Sequence, residues 1–210
     1  MHYLKIVFGG ILMIRTKNVS YQTKAGTRIL DHTNWEWKYG QKIGLMGKSG
    51  AGKTTLAKIL AGFLLPSSGE VIPPKERDGV ASIQLIWQHP EQAVNPKWRV
   101  RKILEEAGEI DQGLLQQFNI PSEWLQRFPQ QLSGGELQRI CIVRCLMVNP
   151  SYIIADEMTS MLDPVSQAEI WKQFMHIVEA NNTGLLVISH ERKLLERITD
   201  HILDIEELQG

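Results

Sequence analysis

Residues Gly47-Lys48-Ser49-Gly50-Ala51-Gly52-Lys53-Thr54 set two glycines, a lysine and a hydroxyl at the spacing G-x-x-x-x-G-K-[ST]. An apolar run, Ile43 to Met46, precedes them, and Thr55 to Leu60 continues as a helix-forming stretch. Between a strand and a helix, such glycines let the backbone curl so that successive N–H groups point inward at an anion. The helix N-terminus adds the positive end of its dipole. Lys48, Ser49, Gly50 and Ala51 would form the cradle, Lys53 would reach the β- and γ-phosphates, and the Thr54 hydroxyl would hold Mg²⁺, with Thr55 closing the first turn. The spacing predicts a chain that binds a nucleoside triphosphate.

A second glycine-rich stretch, Leu132 to Arg139, reads as a loop opening a helix from Leu137 to Val148. Ser133, Gly134 and Gly135 at a helix N-terminus make another anion cradle, this time without a lysine. That incomplete grip suits a site closing on a nucleotide held elsewhere. The same letters also suit a plain helix cap, with Ser133 as N-cap and Glu136 three residues on.

Three further apolar runs end in polar groups. Tyr152 to Ala155 leads into Asp156 and Glu157, Leu185 to Ile188 leads through Ser189 to His190, and Ile83 to Trp87 ends at Gln88. A buried parallel strand that delivers a carboxylate at its C-terminal end places a Mg²⁺-supporting Asp beside a phosphate loop, with the next residue in reach of the attacking water. A histidine is usually structural or solvated, but the C-terminal edge of an open α/β sheet is where ligands bind. Four strand ends are therefore expected to converge on one crevice.

With these motifs in this order, from about Ile14 to Glu207, the chain resembles the ATP-binding cassette family, the nucleotide-binding subunits of ABC transporters. Gly47 to Thr54 looks like Walker A, Gln88 like the Q-loop glutamine, and Leu132 to Gln138 like the signature. Asp156 and Glu157 look like Walker B and its catalytic glutamate, Ser160 to Asp163 like the D-loop, and His190 like the switch histidine. The resemblance implies ATP and Mg²⁺ as ligands, with Thr54, Gln88 and Asp156 on the metal and Glu157, His190, Gln88 and Lys53 in catalysis. Tyr21 would stack on adenine, and Ser133, Gly134, Gly135 and Asp163 would meet the nucleotide of a second cassette, identical or paralogous, arranged head to tail. Met158 stands where the family usually has proline, and Met161 where it usually has alanine; neither is a catalytic group.

The implied fold is α/β: a P-loop NTPase core with an antiparallel β subdomain and an inserted helical subdomain. The core is expected over about 13–90 and 150–210, and the helical block with the signature over about 91–150. Alternation through residues 12–40, with Ile14, Thr16, Ile29, Trp35 and Trp37 on one face, reads as the antiparallel region. Helices are expected at Val100 to Ala107, Gly113 to Phe118 and Pro121 to Arg127.

Lysine plus arginine and aspartate plus glutamate both number 23, which argues against a nucleic-acid-binding face. Cys141 and Cys145, four apart on one helix, suit neither a disulfide nor a zinc site and read as buried thiols. No run approaches the roughly twenty apolar residues that span a bilayer. Residues 4–12 resemble a short signal core, but no small-residue cleavage site follows. The first twelve residues are expected to be an upstream start or a strand extension.

His89 to Lys97 and Thr159 to Asp163 are similar to segments of the peptide and nickel importer ATPases. That resemblance implies transmembrane permease partners, an indirect link to a solute-binding protein, and a place at the cytoplasmic face of the membrane. Gln88 would couple the phosphate-loop sheet to the helical block, and residues from Trp87 to Trp98 would line the groove for a permease helix, with Trp98 as an aromatic anchor. A chromosome-type clamp would carry a long coiled coil between the two glycine-rich loops, whereas only about eighty residues without sustained heptads separate them here. A soluble ABC ATPase of iron–sulfur cluster assembly, acting on protein partners, remains the alternative.

Overall fold

Two strands are buried at every residue in the computed structural model, which describes residues 13–74 and 82–209: β6 (Tyr152–Asp156) and β7 (Gly184–Ile188). Their side chains alternate between two apolar clusters on opposite faces. Tyr152, Ile154, Leu186 and Ile188 join one cluster, whereas Ile153, Ala155, Leu185 and Val187 join the other. Near-continuous apolar runs of this kind are what a parallel sheet covered on both faces demands.

These strands sit at the centre of a five-stranded sheet in the order β5-β6-β7-β3-β8, where β3 is Lys42–Met46, β5 Ile83–Ile86 and β8 His201–Asp204. All neighbours in it are parallel. The C-terminal ends of β3, β5, β6 and β7 therefore open on one edge. Strand β8 was not legible: four residues of weak alternation carry too little pattern.

A separate three-stranded antiparallel sheet has the order β2-β1-β4, with β1 at Met13–Gln22, β2 at Arg28–Lys38 and β4 at Ser68–Ile72. Ile14, Thr16 and Trp37 point inward as expected, but Leu30 is buried in place of Ile29, and Trp35 is only partly covered. The register between β1 and β2 shifts three times past Thr16, and His32 adopts φ +42°. Each irregularity moves the period-two alternation, so a uniform reading fails there.

The helices are α1 (Lys53–Leu60), α2 (Val100–Glu105), α3 (Gln112–Gln117), α4 (Gly134–Met147), α5 (Pro164–Ala180) and α6 (Arg192–Ile198). The stretch expected as a helix from Pro121 is a 3₁₀ turn over Ser122–Gln126. The block from α2 to α4 has no separate core. Val100, Ile103, Phe118 and Ile140 belong to the same cluster as Ile153, Val187, Ile170 and Phe174 beneath the sheet. Motion of that block relative to the sheet must therefore shear a continuous apolar contact. The expectation for residues 4–12 lies outside the described residues.

Candidate nucleotide site

Strand β3 ends at Met46, and the chain curls through the glycine-rich loop into α1. Gly47 has φ +139°, and a Cβ there would stand 2.6 Å from the Ile205 side chain. Gly52 caps α1 at φ +101°, and a Cβ there would stand 2.8 Å from Leu30 and 2.9 Å from the Ile29 carbonyl. At both positions only glycine combines the positive φ with the close passage, Gly47 beside Ile205 and Gly52 under the antiparallel sheet. Lys53 is buried to 6% exposure and folds back over the loop, its Nζ donating to the Gly47 carbonyl at 2.7 Å and the Lys48 carbonyl at 2.9 Å. Those two carbonyls hold the ammonium at the mouth of the curl, where an anion would meet it.

Beside the loop lies a cleft of about 390 Å³ lined by Ser49, Gly50, Gly52, Lys53, Thr54, Thr55, Gln88, Glu157 and His190, with Ile29 on the antiparallel side. Of the remaining loop residues, Gly47 and Lys48 supply the carbonyls that hold Lys53, and Ala51 packs partly buried against the core below. Asp156 ends β6 at 5% exposure. Burial pushes its carboxyl above the usual carboxylate range, opposed in part by a hydrogen bond from Thr54. A buried carboxylate paired with a hydroxyl at a phosphate loop suits Mg²⁺, which a protein holds through few ligands and completes with water and phosphate oxygens. Among the described residues, no group of three or more His, Cys, Asp or Glu is placed to hold a metal ion.

Glu157 is the meeting point of three strand ends. Its Oε2 accepts from Gln88 Nε2 at 2.7 Å, and its Oε1 lies 2.7 Å from His190 Nε2. Its backbone is left-handed at φ +47°, uncommon outside glycine and held here by its N–H donating to the Ile188 carbonyl at 3.0 Å. The turn swings the carboxylate out of the sheet edge and into the cleft. Gln88, expected on the metal, spends its amide N–H on this carboxylate, leaving its carbonyl oxygen as the atom that could face a cation. A carboxylate held at both oxygens is aimed, and could orient a water or accept its proton.

The other candidates are placed apart from this cleft. Ser133, Gly134 and Gly135 do not line it. Ser133 closes a capping box: its Oγ accepts from Glu136 N–H at 3.3 Å, and its own N–H donates to Glu136 Oε2 at 2.8 Å. The cap starts α4 at Gly134, three residues earlier than expected. Asp163 caps α5, accepting from Val165 and Ser166 N–H at 3.1 and 3.0 Å, and a hydrogen bond from the Ser166 hydroxyl, foremost, together with these N–H groups holds its carboxyl below the usual range. Tyr21 packs partly buried in β1, and Ile29, which the sequence did not mark for binding, lines the cleft instead. Trp98 is half-buried against the helical core with Lys102 Nζ 4.2 Å over its ring. Phe63 is 61% exposed and packs edge-on at 5.2 Å against Trp87, with Leu65 exposed two residues further on. A larger groove of about 960 Å³ between α5 and α6 contains none of the expected phosphate-binding or catalytic residues.

Cys141 and Cys145 are free and buried, and burial raises their thiols to about 11 and about 12. No helix among the described residues is long and apolar enough to cross a membrane.

Residues 30–160 match the sequence family described as ABC transporter. The nickel import system ATP-binding protein NikE of Staphylococcus aureus (strain bovine RF122 / ET3-1) is 29% identical over 208 residues, covering 93% of this chain and 87% of NikE. The dimeric post-hydrolysis structure of the ATP-binding cassette MJ0796, bound to ADP and phosphate, superposes with a TM-score of 0.78 at 25% identity, covering 91% of this chain and 93% of that one. CbiO1 from Clostridium perfringens, part of the ABC transporter complex cbiONQ, shares the fold with a TM-score of 0.73 at 22% identity, over 93% of this chain and 85% of that one. A phosphate loop, a strand-end carboxylate pair and a strand-end histidine gathered at one sheet edge, on a chain that matches this family over most of its length, lead to one conclusion: the chain belongs to the ABC transporter family, as an ATP-binding domain.

Proposed function

We propose that this ATPase domain powers an importer for nickel, a related metal complex or peptides, docked on permease subunits at the cytoplasmic face of the membrane. The observation that carries the ATPase mechanism is Glu157, held at both oxygens by Gln88 and His190 beside the lysine and hydroxyl of the phosphate loop. Lys53 and the loop N–H groups bind the triphosphate. Thr54, Asp156 and the Gln88 carbonyl would hold Mg²⁺, which when bound would neutralise phosphate charge. Glu157 orients the water and takes its proton, and His190 steadies the carboxylate and the γ-phosphate end. The nickel reading is supported by the likeness to NikE over most of both chains.

Ser133, Gly134 and Gly135 lie outside their own chain's cleft and so would serve a second cassette, head to tail, with two ATP molecules between the pair. An ATP bound by both partners stabilises that dimer by mass action. Residues from Trp87 to Trp98 would line the groove for a permease helix, with half-buried Trp98 as an aromatic anchor and exposed Phe63, packed on Trp87, adding apolar contact. Cargo choice lies with the permease and the solute-binding protein, which touch the solute as this chain does not.

The test uses Glu157→Gln, mixed with its partner cassette if the two differ. It should bind ATP, lose turnover by at least about a hundredfold, and sediment as a dimer only with ATP. Nickel uptake by cells carrying the variant should fall with turnover. Parental turnover would remove the role of Glu157, and association indifferent to ATP would remove the sandwich.

A further inference from the structure

Behind the Glu157–His190 pair lies a second tie between the same two loops. Gln167, on the first turns of α5, donates from one Nε2 to two acceptors: Thr159 Oγ1 at 3.0 Å and Glu191 Oε1 at 3.0 Å. The Trp171 indole N–H, one turn further along α5, donates to the same Thr159 oxygen at 3.0 Å. Thr159 is 3% exposed and Trp171 4%. The amide orientation is chemically determined, because a carboxylate offers only acceptors and so must face the NH₂ group.

The placement of the two anchors matters more than the bonds themselves. Thr159 stands two residues after Glu157, and Glu191 stands one after His190. Both anchors are set in rigid turns: Ser160 N–H donates to the Glu157 carbonyl at 3.1 Å, and Glu191 N–H donates to Ser189 Oγ at 3.0 Å. The Gln167 side chain thus spans the gap that Glu157 and His190 close at 2.7 Å on the other side. A small cavity of about 60 Å³ between the two ties touches all of these residues. Besides this bridge, the two segments are tied by the catalytic pair and by the Glu157 N–H donating to the Ile188 carbonyl.

We propose that Gln167 is a positioning residue that sets the spacing of Glu157 and His190 through Thr159 and Glu191. This rests on the catalytic reading of Glu157 above. Gln167 does not line the cleft; it acts on hydrolysis by keeping the carboxylate and the imidazole in register. Geometry lost here should appear in the rate and not in binding, because the phosphate loop lies on a different strand end.

The experiment measures steady-state ATP turnover, nucleotide affinity and thermal melting of the full chain. Gln167→Leu should lower kcat about tenfold, since small misplacements of reacting groups act steeply on rate, while ATP affinity stays within about twofold. Gln167→Glu sets two carboxylates face to face and should be at least as slow. Adding Glu191→Gln to Gln167→Glu exchanges donor and acceptor across the bridge, and should recover most of kcat. A Gln167→Leu protein turning over at the parental rate would overturn the proposal. So would a double variant no faster than Gln167→Glu alone, a result that a merely structural role predicts. Glu157→Gln is run alongside: parental turnover there discards the underlying reading, whereas strong suppression there with a parental Gln167→Leu discards the bridge alone.

Discussion

Two helices of this chain open on glycine-rich loops, and the two N-termini are finished in different ways. The loop before α1 is wrapped by its own protein: Gly47 passes under Ile205, Gly52 under Leu30, and Lys53 is folded across the curl. The loop before α4 is finished as a helix cap, with Gly135 passing close to the Leu162 side chain. Its Ser133–Glu136 box satisfies the first N–H groups, and a Cβ at Gly134 would meet nothing within 4 Å. The same local chemistry therefore yields a loop walled on several sides in one place and a more open one in the other. What separates them is whether the tertiary structure brings further walls to the loop.

Nucleotide affinity should split the two loops most widely. Lys53→Ala removes a charged donor and should weaken ATP binding by about a hundredfold, the upper range for a lost charge-assisted hydrogen bond. Ser133→Ala should leave the affinity of the single chain within about twofold while removing the cap, at about 1 kcal/mol of stability. Titration of ATP into each variant under conditions that keep the chain monomeric measures both. Equal losses in the two would erase the distinction.

Glycine replacement sharpens the same contrast on stability. Gly52→Ala forces a side chain into a left-handed backbone and against a carbonyl, and should cost about 3 kcal/mol. Gly134→Ala enters open space in the first turn of α4, and should be neutral or stabilising by up to about 1 kcal/mol. The comparison is made by denaturant unfolding of the free proteins. The second variant should still fail to associate in ATP if the open face is a contact for another cassette.

The acids near the two loops should respond to pH in opposite senses. Burial raises the Asp156 carboxyl, so the folded state holds that proton more tightly than the unfolded one. Its contribution to stability falls as pH rises from the ordinary carboxylate value through the raised one. Asp156→Asn should thus melt a few degrees higher than the parent at neutral pH, with the gap closing in acid. Asp163, held low by the Ser166 bonds, contributes stability above its unfolded value, which is lost as pH falls through its lowered one. Asp163→Asn should reduce melting at neutral pH, and the effect should shrink in acid. Melting scans across pH that showed one sense for both would break the pairing.

The smallest expected effect concerns Cys141 and Cys145, buried on α4 with thiols raised to about 11 and about 12. An alkylating reagent at neutral pH should leave both unmodified in the folded chain and label both on unfolding. Labelling of the native protein would mean that α4 opens locally.

Much of the shape of the glycine-rich loop was legible because it resides in eight consecutive residues whose types are dictated by backbone geometry. Gly47 and Gly52 could be marked in advance, since their conformations exclude other residues. The strand-end groups were legible as candidates, because an apolar run ending in a polar residue is itself a signal. Their convergence was not, since it depends on the order β5-β6-β7-β3 and on the left-handed turn at Glu157. Ile29 as a wall of the cleft escaped, because bulges in β1 and β2 moved the alternation by a residue. The Gln167 bridge left no trace at all: a glutamine on a helix face carries no motif, and its partners lie 8 and 24 residues away in sequence.

By itself the sequence determined what the chain can bind and the class of sheet that must carry it. Glycine spacing, the lysine and hydroxyl, and fully apolar strand runs are local properties, and local sterics and burial suffice to read them. Tertiary structure alone decided which groups meet. It set Gln88 and His190 on the two oxygens of Glu157, merged the helical block into the core beneath the sheet, and left the second glycine loop facing outward. Those outcomes rest on strand order, register and the packing of elements distant in sequence, and no window of residues contains them.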